Sequence, residues 1–187
     1  MEQRSGDFIT TFTGNRFYAA DPRSEDFFIE DMAHALSLQC RYGGHCSKFY
    51  SVLQHQIFTY YIAKFLGLSE ECQEWALMHD TSETYLVDLP SPIKRMFPEY
   101  KRVEGVVLHA IAKRYGLVWP MPHHVHHIDL LARTHEALTL GFDITGWNMP
   151  TPTDIEEKML SASWSMVPDR DDTKERFLEL VDELNIS

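Results

Sequence analysis

Residues 51–67 read SVLQHQIFTYYIAKFLG and carry the strongest helical pattern of the chain. Ser51 belongs to the residue types favoured at a helix N-cap, and Gly67 to those favoured just past a helix end. The apolar residues between them form a stripe that is too broad for a helix with a solvated face. The segment therefore predicts a central, buried helix that ends at about Leu66.

The flanking sequence predicts further elements on both sides. Residues 8–18 alternate apolar and polar side chains about Thr13-Gly14-Asn15, which is typical of a β-hairpin, and helical spacing begins at about Glu30. Ser69 opens a helix that reaches Met78. Further along the chain, we predict a loop at Pro90 and Pro92, helices at about 100–115 and 123–140, a loop at 141–153, and helices near 154–164 and 172–185.

These elements predict an all-α fold, a helical bundle with a small N-terminal β-hairpin. The length of 187 residues is that of one domain, spanning 1–187. Within it, residues 1–28 form the hairpin and its lead-in, and residues 141–187 form the loop plus the C-terminal helices.

The composition argues against several classes of function. A formal net charge of −11 disfavours the basic patch that nucleic acid or an anionic membrane surface requires. No apolar run approaches the roughly 20 residues of a membrane helix, and the first residues lack the apolar segment of a secretion signal. The three cysteines have no paired spacing, which fits a reducing compartment. We therefore expect a cytoplasmic protein that binds neither nucleic acid nor membrane.

Metal-type ligands occur on the inner faces of three predicted helices. His55 lies among apolar neighbours in the central helix, His79-Asp80 follows an apolar run, and Asp129 is flanked by apolar residues. A histidine–aspartate pair at a helix end often makes only local hydrogen bonds. Charged groups on three apolar faces, however, need partners, and a metal ion would provide one. Two imidazoles and two carboxylates suit Zn²⁺, Mn²⁺, Co²⁺ or Fe²⁺.

Other histidines compete for this role. His45 follows two glycines and is the main rival to His55 as the first ligand, and His34 is another. His123 and His127 lie one helical turn apart and could bind a second metal, although such clusters are more often solvated helix starts. We prefer His55 because of its position within the central helix.

The order H…HD…D resembles that of the HD-domain phosphohydrolase superfamily. Residues 78–94, MHDTSETYLVDLPSPIK, are similar to the HD-x-x-E…D-(L/I/V)-P-x-P-x-K segment of the 5′-deoxynucleotidases. Residues 40–45 and 49–55, CRYGGH and FYSVLQH, are more similar still to the small phage and prophage branch, which includes the phage dATP triphosphohydrolases. The resemblance spans most of residues 8–140 and is loose beyond them.

The resemblance implies roles for the acidic and metal-type residues. It makes His55, His79, Asp80 and Asp129 the ligands of one divalent ion, Zn²⁺, Co²⁺ or Mn²⁺, and it makes Glu83 the general acid/base. The spacing agrees, because Glu83 lies four residues after His79 and three after Asp80, on the same side of a helical turn.

The resemblance also implies contacts with the substrate. Asp88 would help to recognise the sugar and the scissile region, although an aspartate shortly before Pro90 can simply form a turn. Arg41 and Lys94 are the expected phosphate-binding cations.

Three further residues are expected at the substrate. Tyr42 could stack on the base, with Pro92 covering the other face, and His45 could line the same pocket. Tyr42 departs from the tryptophan of some relatives, which leaves the base open.

The expected function is metal-dependent hydrolysis of 2′-deoxynucleotides, foremost dATP to deoxyadenosine and triphosphate. The alternatives are a 5′-deoxynucleotidase that acts on monophosphates, and a non-catalytic nucleotide-binding scaffold. The resemblance further implies a homo-oligomer, dimer or hexamer, located in the host cytoplasm if the protein is phage-encoded. Exposed tryptophans, namely Trp119, Trp147 and Trp164, could form the contacts.

Overall fold

The computed structural model describes residues 3–187, and it begins with a two-stranded hairpin. Strand β1 (Ile9–Thr10) pairs antiparallel with strand β2 (Arg16–Phe17), with Ile9 opposite Phe17. The predicted hairpin is confirmed, with shorter strands than the alternation indicated. Phe17 is buried and packs 4.4 Å, centroid to centroid, from Tyr85, so that the hairpin is anchored in the core.

The rest of the described chain is helical, which confirms the all-α fold with a small N-terminal hairpin. In chain order the helices are α1 (Ile29–Leu38), α2 (Val52–Phe65), α3 (Glu70–Met78), α4 (Glu83–Leu86), α5 (Ser91–Lys94), α6 (Pro98–Arg114), α7 (His123–Thr139), α8 (Asp154–Trp164) and α9 (Thr173–Glu183).

Helix α2 is the centre of the bundle, as its sequence predicts. Residues 52–63 are all buried, and α2 packs against α1, α3, α7, α8 and α9. The Ser51 side chain accepts a hydrogen bond from the Gln54 amide, and the Gln54 side chain bonds back to the Ser51 amide, forming a capping box. Gly67 follows the helix at φ +67°, a backbone conformation that favours glycine. The polar groups within residues 52–63 of α2, including His55, are therefore surrounded by other helices.

The segment around the prolines differs from the prediction. Instead of continuous loop, residues 91–94 form α5, a single helical turn with Pro92 in its first turn. Proline is tolerated there because the first amide groups of a helix have no intrahelical acceptor. Pro98 opens α6 for the same reason, two residues before the predicted start.

The C-terminal region follows the prediction closely. Helices α8 and α9 lie within one or two residues of the predicted bounds, and a loop at 141–153 precedes them. Trp164, which we expected to be exposed, is instead packed against Tyr50 and Phe58, at 5.4 and 5.1 Å between ring centroids. Within residues 3–187, no helix combines the length and the apolar character needed to cross a membrane.

Candidate metal centre and adjoining cavity

Four side chains from three parts of the fold converge on one point. The Nε2 atoms of His55, on α2, and His79, at the end of α3, lie 3.1 Å apart. Asp80 Oδ2 lies 3.5 Å from His55 Nε2 and 3.3 Å from His79 Nε2. Asp129 Oδ1, on α7, lies 3.2 and 3.9 Å from the same two nitrogens. The residues predicted as ligands are therefore neighbours, although 74 residues separate His55 from Asp129 in the chain.

This arrangement fits a divalent transition metal. Nitrogen and oxygen ligands of such an ion lie at about 2.1 Å, which separates two ligand atoms of a tetrahedral site by about 3.4 Å. The separations that involve the two imidazole nitrogens, 3.1 to 3.9 Å, bracket that value. The ligand atoms of His55, His79 and Asp80 all lie within 4.8 Å of one another.

Both imidazoles are held with Nε2 towards the centre. His55 Nδ1 lies 2.7 Å from Glu136 Oε1, and His79 Nδ1 lies 2.9 Å from the Ala76 carbonyl oxygen. Since both acceptors bind a protonated Nδ1, each ring in its neutral form has its lone pair on Nε2. Outer partners of this kind are typical of metal-binding histidines.

Glu136 is a fully buried carboxylate that the sequence analysis did not identify. Its Oε1 accepts from the Tyr50 hydroxyl at 3.0 Å, and its Oε2 accepts from the Tyr42 hydroxyl at 3.2 Å and lies 3.4 Å from Arg41 Nε. Burial raises the pKa of Glu136, but His55, Arg41 and the hydrogen bonds outweigh burial, so that the pKa is lowered. One signal was available, because Glu136 lies seven residues after Asp129, two turns along the same face of α7.

The charges at the centre are strongly coupled. Burial raises the pKa of Asp129, but the hydrogen bond and charge of His55 and the charge of His79 lower it to about 2. Burial and Arg41 lower the pKa of His55, whereas Glu136 and Asp129 raise it, to about 9 overall. The carboxylates therefore remain ionised and favour a cation between them.

Glu83, the first residue of α4, is 2% exposed. Its Oε1 lies 3.1 Å from Lys94 Nζ, whereas its Oε2 is buried with no hydrogen-bond partner among the described residues. Burial, together with the charges of Asp80 and Asp88, raises the pKa of Glu83 well above its ordinary value. A carboxyl group with a raised pKa beside a metal-type centre is suited to proton transfer.

The turn that carries Asp88 is held by side chains from outside it. Gln39 donates to the Glu83 carbonyl at 3.0 Å and accepts from the Asp88 amide at 3.1 Å. Val87 has φ +70°, which is unfavourable for a β-branched residue. The backbone is therefore strained at the residue that precedes Asp88.

A cavity of about 680 Å³ adjoins the centre. Of the predicted site residues, the structure places the following in its wall: Arg41, Tyr42, Asp80, Glu83, Asp88, Pro92, Lys94 and Asp129. The sequence analysis did not identify Arg133, Phe142 or Met149 as lining residues. The ring centroids of Tyr42 and Phe142 lie 4.8 Å apart, and those of Phe142 and Trp147 6.3 Å apart, which gives the cavity an aromatic side.

The two cations expected to bind phosphate already have carboxylate partners. Arg41 Nη1 lies 3.5 Å from Asp80 Oδ2, in addition to the Glu136 contact. Lys94 Nζ lies between Glu83 and Glu104, at 3.1 and 2.7 Å. Both therefore neutralise the acidic residues of the site in this structure.

The competing histidines lie elsewhere. His45, which the sequence analysis expects in the pocket, is exposed and is not among the residues that line the cavity. His34 stacks on Phe12 at 3.7 Å. His123 is exposed, and His127 pairs with Glu156 at 2.9 Å, away from the centre.

The fold and the site together describe a helical protein with a buried histidine–carboxylate cluster that opens into a cavity. No protein-family profile matches the chain. It is 40% identical to the uncharacterized protein YfdR of Escherichia coli (strain K12) over 136 residues, which are 73% of this chain and 74% of YfdR. The chain therefore belongs to the same family as YfdR. It is also 30% identical to the uncharacterized protein RCAP_rcc00048 of Rhodobacter capsulatus over 115 residues, 59% of each chain.

Proposed function

We propose that this protein is a metal-dependent phosphohydrolase of 2′-deoxynucleotides, with dATP as the foremost substrate and deoxyadenosine and triphosphate as the products. The observation that carries the proposal is the convergence of two imidazole nitrogens and two carboxylate oxygens beside a cavity that also contains Glu83. The match of residues 78–94 to the deoxynucleotidase pattern supports it.

The ligands for the ion in this proposal are His55, His79, Asp80 and Asp129. Such an ion, when bound, activates water for attack on phosphorus and neutralises charge on the phosphoryl oxygens. The fixed Nδ1 contacts of both histidines orient the ligands before the ion binds.

The protein's own groups supply proton transfer and substrate positioning. The carboxylate of Glu83 is the acceptor for a proton from the attacking water, and Lys94 limits how far the Glu83 pKa rises. Tyr42, Phe142 and Trp147 offer aromatic surface for the base, with Pro92 in the same wall. Asp88 offers a carboxylate for the sugar hydroxyl.

A non-catalytic nucleotide-binding scaffold is the alternative of another class. Glu83 argues against it, because a buried carboxylate oxygen without a partner destabilises a protein that has no use for it. A 5′-deoxynucleotidase acting on monophosphates uses the same centre, and the test below separates it from a triphosphohydrolase.

The location and the oligomeric state of the enzyme are also part of this proposal. We place it in the cytoplasm because the three cysteines are free and deoxynucleotides occur there. We also propose a homo-oligomer, a dimer or hexamer. Trp119 remains a candidate contact at 43% exposed, whereas Trp147 lines the cavity.

The test is hydrolysis of a panel of deoxy- and ribonucleoside mono-, di- and triphosphates with Mn²⁺, Co²⁺ or Zn²⁺, with products resolved by chromatography. We expect dATP to give deoxyadenosine and intact triphosphate, and Glu83→Gln to abolish this. The matched control is Glu99→Gln, because Glu99 is exposed and its carboxylate pairs with Arg102. Orthophosphate from monophosphates would instead indicate a 5′-deoxynucleotidase. Inactivity on every nucleotide with metal bound would contradict the proposal.

A further inference from the structure

The cavity wall contains four cations, and they differ in how they are paired. They are Arg41, Lys94, Arg95 and Arg133. Arg41 and Lys94 each lie between two carboxylates, as described above. Within residues 3–187, neither Arg95 nor Arg133 has a carboxylate oxygen within 4 Å of its guanidinium nitrogens. Among the described residues, the cavity therefore holds two cations without a carboxylate partner.

Arg133 is held in place by neutral groups. Its Nη1 donates to Ser91 Oγ at 2.9 Å, and its Nη2 lies 3.5 Å from Met149 Sδ. Its Nε is buried and has no hydrogen-bond partner in the part of the chain that the structure describes. Since Nη1 and Nη2 each bond only one neutral atom, each keeps a further N–H group with which the oriented guanidinium can bind an anion.

Arg133 lies further along α7 than the predicted metal ligand Asp129. It lies four residues after Asp129 on α7, on the same face and about 6 Å further along the helix axis. Its bonds to Ser91 and Met149 hold the guanidinium against α5 and the 141–153 loop.

Arg95 extends the same positive region. Its amide donates to the Ser91 carbonyl at 3.2 Å, so Arg95 lies one turn after Ser91, the residue that contacts Arg133. Its side chain is exposed at the cavity. In a protein with a net charge of −11, two such guanidinium groups are a local exception that favours a multiply charged anion.

We propose that Arg133, together with Arg95, binds the phosphates of a deoxynucleotide that lie beyond the metal centre, so that the site selects polyphosphate nucleotides over monophosphates. This inference rests on the proposed function for its substrate class. The sequence analysis expects Arg41 and Lys94 to bind phosphate. In this proposal, Arg133 and Arg95 bind the phosphates that lie beyond the metal centre.

The test measures anion binding without catalysis. Isothermal titration calorimetry with inorganic triphosphate and with orthophosphate, on the Mn²⁺-loaded full chain, compares the wild type with Arg133→Gln and Arg95→Gln. The matched control is Arg114→Gln, because Arg114 is exposed on α6 and does not line the cavity. Arg133→Lys keeps the charge if the glutamine variant does not fold.

We expect triphosphate affinity to fall about tenfold or more in Arg133→Gln, and less in Arg95→Gln, while orthophosphate affinity changes less than about twofold. The control should match the wild type. A wild type that binds triphosphate no more tightly than orthophosphate would overturn the proposal. Equal losses of affinity for triphosphate and orthophosphate in Arg133→Gln would also overturn it, because they would place Arg133 at the scissile phosphate.

A kinetic readout separates this inference from the proposed function. In an active enzyme, Arg133→Gln should raise KM for dATP about tenfold and leave any turnover of dAMP unchanged. If the wild type hydrolyses no nucleotide, the proposed function fails, and the calorimetry still decides whether Arg133 and Arg95 bind polyphosphate. Equal loss of dATP and dAMP turnover would contradict the inference alone.

Discussion

Glu136 Oε1 lies 2.7 Å from His55 Nδ1, and both side chains are fully buried. The pair joins α2 to α7. His55 lies on α2, and α7 carries both Glu136 and the predicted ligand Asp129. Glu136 therefore fixes which nitrogen of His55 faces the centre and how the ring is oriented. In the proposed metal centre, a residue in this position would act on the ion through the ligand that it orients.

Replacing Glu136 should weaken metal binding. We expect Glu136→Gln to lower the affinity for Mn²⁺ or Zn²⁺ by about 10- to 100-fold, because the amide cannot stabilise the protonated Nδ1 as a carboxylate does. Competition with a chelator measures the effect. Tyr50→Phe is the control, since it removes one hydrogen bond to Glu136 and leaves the carboxylate, and it should cost less than tenfold. Unchanged affinity in Glu136→Gln would refute a positioning role.

Replacing Lys94 should change the pH dependence of the reaction. Lys94 favours the ionised form of Glu83 and so lowers its pKa, against a larger upward effect of burial. Lys94→Met should therefore raise the pKa of Glu83, and the acid limb of kcat/KM should move to higher pH. Lys101→Met, an exposed site on α6, should leave the profile unchanged. A limb that stays in place or moves to lower pH would show that Glu83 is not the titrating base.

The strained turn before Asp88 should respond to glycine. Val87 has φ +70° and a side chain that is 58% exposed, so it loses little burial when truncated. We expect Val87→Gly to raise the free energy of unfolding by about 1 kcal/mol, because glycine adopts this conformation without a steric penalty. Urea denaturation measures the change. The comparison variant is Val106→Gly, at an exposed position inside α6. It should lower the free energy of unfolding by about 1 kcal/mol, because glycine is unfavourable within a helix. Destabilisation of both variants alike would argue against strain at Val87.

The sequence predicted the helices and the four converging residues because each signal was local. Ser51 and Gly67 mark the ends of α2, and polar residues such as His55 and Asp129 interrupt apolar faces that must be buried. Each of these observations needs only the residues of one helix. The short helix α5 was not predicted, because the local sequence does not distinguish a proline in the first turn of a helix from a proline in a loop.

Partnerships between distant segments were not predictable in this way. Glu136 and His55 are 81 residues apart, and Arg133 meets Ser91 across 42 residues. The pairing of Lys94 with Glu83 and Glu104 also depends on how α4, α5 and α6 pack. No single-helix pattern contains that information. The binding of phosphate by Arg41 and Lys94 stays a prediction, and their carboxylate partners became visible only in the fold.

The most direct test of the metal centre is reconstitution of metal-stripped protein with Mn²⁺ or Co²⁺, following bound metal and dATP hydrolysis together. We expect both to rise in proportion and to saturate at one ion per chain. His45→Ala should behave like the wild type, and His55→Ala should lose both metal and activity. Retention of the ion by His55→Ala, or hydrolysis that does not depend on bound metal, would contradict the account.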